Sequence, residues 1–234
     1  MKQSVRAFLQ KEVDLKHIPG AVVQVAHRGE VVLEEAVGNR AVYPEKLPMK
    51  IDTVFDLASL TKVVATLPAV LKLMDVGEIR LDDRVEQFLP QFSRNGKGQI
   101  TIRHLLTHTS GLRAHQSYHK DELTANEILE QIYADERKEP VGSKVVYSDL
   151  GLITLYKMIE AVTGKEFSDF VEKEIFAPLG MTETMFNPEF PVDRFAATEF
   201  SEKFDDYKRG IVHDENTVSM GGISGHAGLF FNDS

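Results

Sequence analysis

Phe55-Asp56-Leu57-Ala58-Ser59-Leu60-Thr61-Lys62 is the stretch on which the fold of this chain turns. Its last four residues read S-x-x-K, and a long apolar-periodic run continues through Met74 and closes at Gly77. In a helix, residues three apart share a face, so a helix opening at Ser59 sets the Lys62 amine beside the Ser59 hydroxyl. The start of such a helix also offers free backbone donors and partial positive charge, which stabilise an alkoxide or oxyanion. A serine hydroxyl is a weak nucleophile at neutral pH and needs a neighbour of this kind. Pro68 lies inside the run, lacks a backbone donor and crowds the carbonyl of Val64, so the helix is expected to kink or break there.

Upstream, Val5, Phe8, Leu9 and Val13 at helical spacing predict a helix over residues 3–15, stopped by Pro19-Gly20. Val23 to Ala26 and Val31 to Leu33 then flank His27-Arg28-Gly29-Glu30, which predicts a β-hairpin. An isolated hairpin is marginal in water, so it needs more strands or a helix, and the Ser59 helix is the expected partner. Downstream, residues 101–107 form a short helix candidate. Thr124-Ala125-Asn126-Glu127 matches a capping box and opens a helix to about Glu136. Leu150, Ile153, Ile159 and Val162 mark a helix ending at Gly164, and Phe167 to Phe176 mark another before Pro178-Leu179-Gly180.

Residues 187–210 are polar and irregular, and Gly221-Gly222-Ile223-Ser224-Gly225-His226-Ala227-Gly228 is glycine-rich, with no later element expected to finish the sheet. The expectation is one α+β domain over residues 1–234, with parts at 1–79, 80–186 and 187–234. Its antiparallel sheet, begun by the hairpin, packs on the Ser59 helix, and a mainly helical region from about 80 to 180 forms the other wall.

A hydrophobic share of 42% with 27% charged residues suits a folded soluble protein. The net charge of −9, with no stripe of Lys and Arg, argues against a nucleic-acid partner. The absence of cysteine excludes disulfides, thiolate zinc sites and a cysteine nucleophile. No stretch reaches the 18 or so apolar residues of a membrane span. Residues 1–12 are charged and amphipathic, without the apolar core of a signal peptide, so the expected location is cytoplasmic, or extracytoplasmic if a leader has been removed.

Chance supplies roughly one S-x-x-K in a chain of this size. A second one, Ser117-Tyr118-His119-Lys120, lies in a polar stretch and reads as a solvated loop. Ser59 differs by its context. Together with Phe55 to Lys62, the blocks His104-Leu105-Leu106-Thr107-His108-Thr109-Ser110-Gly111-Leu112 and Tyr147-Ser148-Asp149-Leu150-Gly151 resemble, in order and spacing, the class C β-lactamase-related serine hydrolases. That family includes class C β-lactamases, low-molecular-weight penicillin-binding proteins, D-aminopeptidases and esterases.

The resemblance covers the chain from about residue 17 onward and implies a β-lactamase/transpeptidase-like fold, acyl transfer through Ser59 and Lys62, and no cofactor or metal. It makes Tyr147 the tyrosine that faces the S-x-x-K pair. A phenol ordinarily loses its proton near pH ~10, so it serves as base at neutral pH only beside a cation such as Lys62. The family's Asn is replaced by Asp149, whose carboxylate accepts but does not donate hydrogen bonds when ionised.

Two readings of the end of the chain stay open. His226-Ala227-Gly228 is the family's third box, which makes His226 a substrate-binding residue beside Asp149, or it belongs to a glycine-rich segment that precedes a helix. On the second reading the third box, the remaining strands and the C-terminal helix lie beyond Ser234, and the missing segment or self-association completes the sheet. The implied partner is a small-molecule or peptide substrate: a β-lactam, a D-amino-acid peptide or an ester. The alternatives are a penicillin-recognising sensor or inactive binding relative, and a metallohydrolase using His104 with His108 or His115 with His119, pairs that lack the Glu of H-E-x-x-H.

Overall fold

Residues 2–202 and 205–232 are described by a computed structural model of the chain. The N-terminal helix α1 (Lys2–Asp14) is succeeded by β1 (Gly20–His27) and β2 (Glu30–Ala41), paired antiparallel in the predicted hairpin. Arg28 and Gly29 turn it with φ of 54° and 85°, and two such residues give a turn whose twist matches that of the strands. A short β3 (Leu47–Pro48) adds to the far edge of β2. The hairpin is covered by α1 so closely that a Cβ on Gly38 would lie 2.9 Å from a methyl of Val13. This corrects the expected packing, since the large apolar core around the Ser59 segment holds no residue of the hairpin.

That segment starts from β4 (Phe55–Asp56), makes a 3-10 turn at Ala58–Leu60, widens to a π-helical stretch at Lys62–Thr66, and continues as α2 (Leu67–Asp75). The predicted break is present, but it falls before the proline. Pro68 occupies the first turn of α2, where a missing N–H removes no helical bond. Next along the chain are α3 (Ile102–Leu106), α4 (Ala125–Ala134), α5 (Asp149–Thr163) and α6 (Phe167–Val171). Thr101 caps α3 and Thr124 caps α4, each in a reciprocal capping box, and Gly164 ends α5 in the left-handed conformation at φ 66°. Ser117 to Lys120 are not a solvated loop throughout, because a 3-10 turn at Tyr118–Asp121 buries Tyr118.

The remaining elements are β5 (Met185–Phe186), β6 (Phe200–Ser201), β7 (Asp206–Tyr207), α7 (Glu215–Ser219) and β8 (Leu229–Phe231). β8 overturns the expectation that the tail adds nothing to a sheet, since it is the middle strand of an antiparallel sheet ordered β4-β8-β5. The glycine-rich run therefore leads into a strand rather than a helix. Three residues are too few to display an alternating pattern, which is why the sequence did not announce it. The placement of a third box beyond Ser234 lies outside the described residues.

Successive strand residues face opposite ways, so Leu229 enters the main core while Phe230 packs with Val54, Phe195 and Val212 on the other side. The main core joins Ala69, Val70 and Leu73 of α2, Leu105 of α3, Ile128 and Ile132 of α4, and Phe167 of α6 around α5. Leu150 through Tyr156 are all buried, so α5 is the central helix rather than a surface one. Full burial of each large apolar side chain contributes about 1.5–3 kcal/mol. This shared core sets α2, the head of α5 and β8 side by side, and the chemically distinctive residues lie where the three meet.

Candidate active site

Asp56 ends β4 and uses both carboxylate oxygens on main chain, Oδ1 accepting from Ala58 N–H and Oδ2 from His213 N–H, each at 2.7 Å. Leu57 N–H donates to the Leu229 carbonyl at 2.9 Å, which ties the segment to β8. Between these anchors Ala58 is held at φ 44°, a left-handed conformation that costs a side-chain-bearing residue about 1–3 kcal/mol. The sharp turn lifts Ser59 to the surface at the opening of the helical segment.

Lys62 is buried, with a relative exposure of 5%, and each of its three N–H bonds has an acceptor. Its Nζ donates to Ser59 Oγ at 2.9 Å and to the carbonyl oxygen of His226 at 3.0 Å, and it lies 2.8 Å from Asp149 Oδ1. Three donors and no acceptor are the inventory of an ammonium, and the three oxygens match it. Asp149 sits in the first turn of α5, where a carboxylate suits the helix dipole, and its Oδ2 lies 3.3 Å from His115 Nδ1. Tyr147 precedes the cap residue Ser148 and is 54% exposed, with its ring face 4.9 Å from Lys62 Nζ. Ser59, Lys62, Tyr147 and His108 line one pocket of about 420 Å³, walled by Leu57, Leu60 and Leu152.

Ser59, Lys62, Tyr147 and Asp149 are thus brought together. Asp149 meets the lysine, where the reading of the sequence had placed it on substrate. His226 reaches the site only through its carbonyl oxygen. Its imidazole is 1% exposed and turned into a buried network, with Nδ1 2.8 Å from Ser224 Oγ and Nε2 3.0 Å from Asp214 Oδ1. Asp214 also caps α7, accepting from the Thr217 N–H at 2.7 Å and hydroxyl at 2.8 Å. Burial pushes the Asp214 carboxyl upward, but the His226 hydrogen bond and charge and the two Thr217 donors outweigh that and hold it well below the usual carboxylate range.

A depressed carboxylate pKa stabilises the fold above its unfolded value, and that contribution is lost as pH falls from about 4 toward the lower folded value. Acid titration combined with urea unfolding should show a loss on the order of 2 kcal/mol in this window, removed in Asp214→Asn. A slope that survives the substitution would assign the acid sensitivity to other groups.

The four histidines of the metal alternative have separate engagements. His104 Nδ1 accepts from Thr101 N–H, His108 Nδ1 accepts from Ser148 N–H, His115 faces Asp149, and His119 Nε2 lies 3.0 Å from Glu215. His108 is the site residue that the sequence reading passed over, having weighed it only as one of a metal pair. Its signal was its place directly after a short helix, where glycine is usual. Gly225 left no local signal, because its role is a close contact with Leu152, Tyr156 and Thr66 of distant segments.

The family described as Beta-lactamase matches residues 5–232 of the chain. A protein of Escherichia coli K12, provisionally named a D-alanyl-D-alanine carboxypeptidase, is 32% identical over 259 aligned positions that cover 96% of this chain and 59% of the relative. The N-acetylmuramyl-L-alanine amidase of Bacillus subtilis 168 is 34% identical over 253 positions, covering 92% of this chain and 56% of its own length. Among solved structures, EstCE1, described as a hydrolase with promiscuous acyltransferase activity, superposes with a TM-score of 0.80 at 26% identity, covering 98% of this chain and 68% of the other. The chain therefore spans less than two thirds of the curated relatives it matches.

Proposed function

Because the chain belongs to the beta-lactamase family, we propose that it is a serine hydrolase that works through a covalent acyl-enzyme formed on Ser59. The observation that carries this reading is the 2.9 Å hydrogen bond from the buried Lys62 ammonium to Ser59 Oγ. A cation at that distance favours the alkoxide over the alcohol, and a reacting carbonyl fits in the pocket in front of it. Ser59 Oγ attacks the carbonyl carbon, the Lys62/Tyr147 pair carries its proton to the leaving group, and the Ser59 main-chain N–H at the first turn donates to the oxyanion. Water then releases the acyl group.

A β-lactam, a D-amino-acid peptide and an ester all pass through the same acyl-enzyme, and the names of the relatives favour cell-wall peptide substrates.

A fluorophosphonate probe and a fluorescent penicillin separate the outcomes. The expected result is covalent mass added at Ser59 of the wild-type chain and none in Ser59→Ala, with subsequent turnover of an activated ester or a D-alanyl-D-alanine peptide. Labelling without turnover would mark a penicillin-recognising sensor. No labelling by either probe would refute Ser59 as nucleophile.

A further inference from the structure

His108 occupies the residue just past the cap of α3, at φ 58°, and closes a Schellman motif there. Its N–H donates to the Leu105 carbonyl at 3.2 Å, and the next residue, Thr109, donates to the His104 carbonyl at 2.8 Å. Glycine is the usual occupant of this position because the left-handed conformation costs a side-chain-bearing residue about 1–2 kcal/mol. A histidine held there invites the question of what its side chain does.

It brackets Tyr147. The His108 carbonyl accepts from Val146 N–H at 2.8 Å, and His108 Nδ1 accepts from Ser148 N–H at 3.0 Å, so the residues on either side of the tyrosine are both tied to one histidine. The imidazole also lies against the tyrosine ring, with centroids 4.6 Å apart. Tyr147 itself is more than half exposed.

We propose that His108 is a positioning residue that holds Tyr147 against Lys62 and Ser59, and that it does so only while Nδ1 is unprotonated and free to accept from Ser148. A proton on Nδ1 would turn an acceptor into a second donor facing Ser148 N–H, and the bracket would open on one side. The proposal rests on the serine-hydrolase reading for its catalytic consequence but not for its geometry. The groups that face His108 are Lys62 of the nucleophile segment, Tyr147, and Asp149 at the head of α5 with His115 beyond it; His104 is the other imidazole of its own helix. Burial first and then the Lys62 charge press the imidazole below its usual range, with Asp149 acting against them, so the bracket stays closed at neutral pH.

The test uses the full chain, an activated ester as substrate, and two variants. In His108→Ala the acceptor is lost, and kcat should fall by about 10–100-fold with little change in KM, the scale expected when a reacting group is misplaced by roughly 1 Å. Asn tolerates the left-handed backbone and presents an amide oxygen near the place of Nδ1 without titrating. His108→Asn should recover most of kcat and lose the acid limb of the wild-type profile, which lies below the usual imidazole range. Ring-labelled tyrosine, with the signal assigned through Tyr147→Phe, provides a readout independent of turnover: the Tyr147 resonance should track the imidazole titration in the wild type and be flat in His108→Asn.

Wild-type kcat in His108→Ala, or a Tyr147 resonance indifferent to acid, would overturn the proposal. So would His108→Asn behaving like His108→Ala while retaining the acid limb. A Tyr147 resonance that tracks the titration in a chain that no serine probe labels would uphold the bracket and refute the hydrolase reading instead.

Discussion

Lys62→Met is expected to reduce turnover of an activated ester by on the order of 10²–10³-fold, the range associated with removing a donor that stabilises a developing oxyanion. Methionine keeps the length and packing of the side chain and deletes the ammonium that donates to Ser59 Oγ, to the His226 carbonyl and to Asp149. The loss should appear in kcat, since a group that stabilises the developing alkoxide acts in the transition state. Lys62→Arg should not restore activity, because a planar fork cannot set one nitrogen among three converging oxygens.

The same substitution has a structural cost. It leaves the Asp149 carboxylate largely buried without its cation, and removing one partner of a buried pair destabilises by roughly 3–5 kcal/mol. Lys62→Met combined with Asp149→Asn should regain most of that stability while remaining inactive. Full activity in Lys62→Met would sink the proposed mechanism, and unchanged stability would show that the ion pair contributes nothing net.

Gly225→Ala is expected to destabilise the fold by at least about 3 kcal/mol, or to prevent folding. A Cβ there would stand 2.3 Å from the Leu152 carbonyl oxygen, 2.9 Å from Tyr156 Cβ and 3.1 Å from Thr66 Oγ1. Two of these neighbours belong to the central helix α5 and the third to the nucleophile segment, so none can move without disturbing the core. The Gly225 carbonyl also accepts from Thr66 Oγ1 at 2.7 Å, one residue before the carbonyl that receives Lys62.

Gly151→Ala is the contrasting case. It lies inside α5, its added Cβ would meet Leu105 at ordinary contact distances of 3.6–3.9 Å, and alanine is favoured over glycine in a helix interior by roughly 0.5–1 kcal/mol. Urea unfolding of the two variants should therefore move in opposite directions or nearly so. Equal stability of Gly225→Ala and the parent chain would show that the glycine-rich segment sits further from α5 than described.

Much of the site was legible as local pattern. Ser59 and Lys62 share a turn, Ser148 caps the helix that carries Asp149, and Tyr147 precedes that cap, so their spacing constrains them before any long-range contact forms. The hairpin, the Thr124 capping box and the glycine end of α5 are likewise contained within runs of a few residues, where backbone preference and apolar period decide the outcome. Resemblance then joined three such runs into an expected family and α+β fold.

Other features exist only because distant segments meet. β8 is three residues long and has no pattern of its own; it becomes a strand because β4 and β5 flank it and Leu229 and Phe230 are buried on opposite faces. The third acceptor of Lys62 is a carbonyl 164 residues away. A carbonyl is present at every residue, so no side-chain pattern in the sequence could single it out. The reach of Lys62 to Ser59 was written in four letters, whereas the full hydrogen bonding that makes that lysine a fixed cation depended on the segment before β8 bringing the His226 carbonyl to it. Local spacing carries the first because helical geometry is the same everywhere; the second needs tertiary structure because desolvation and acceptor placement are properties of the packed core.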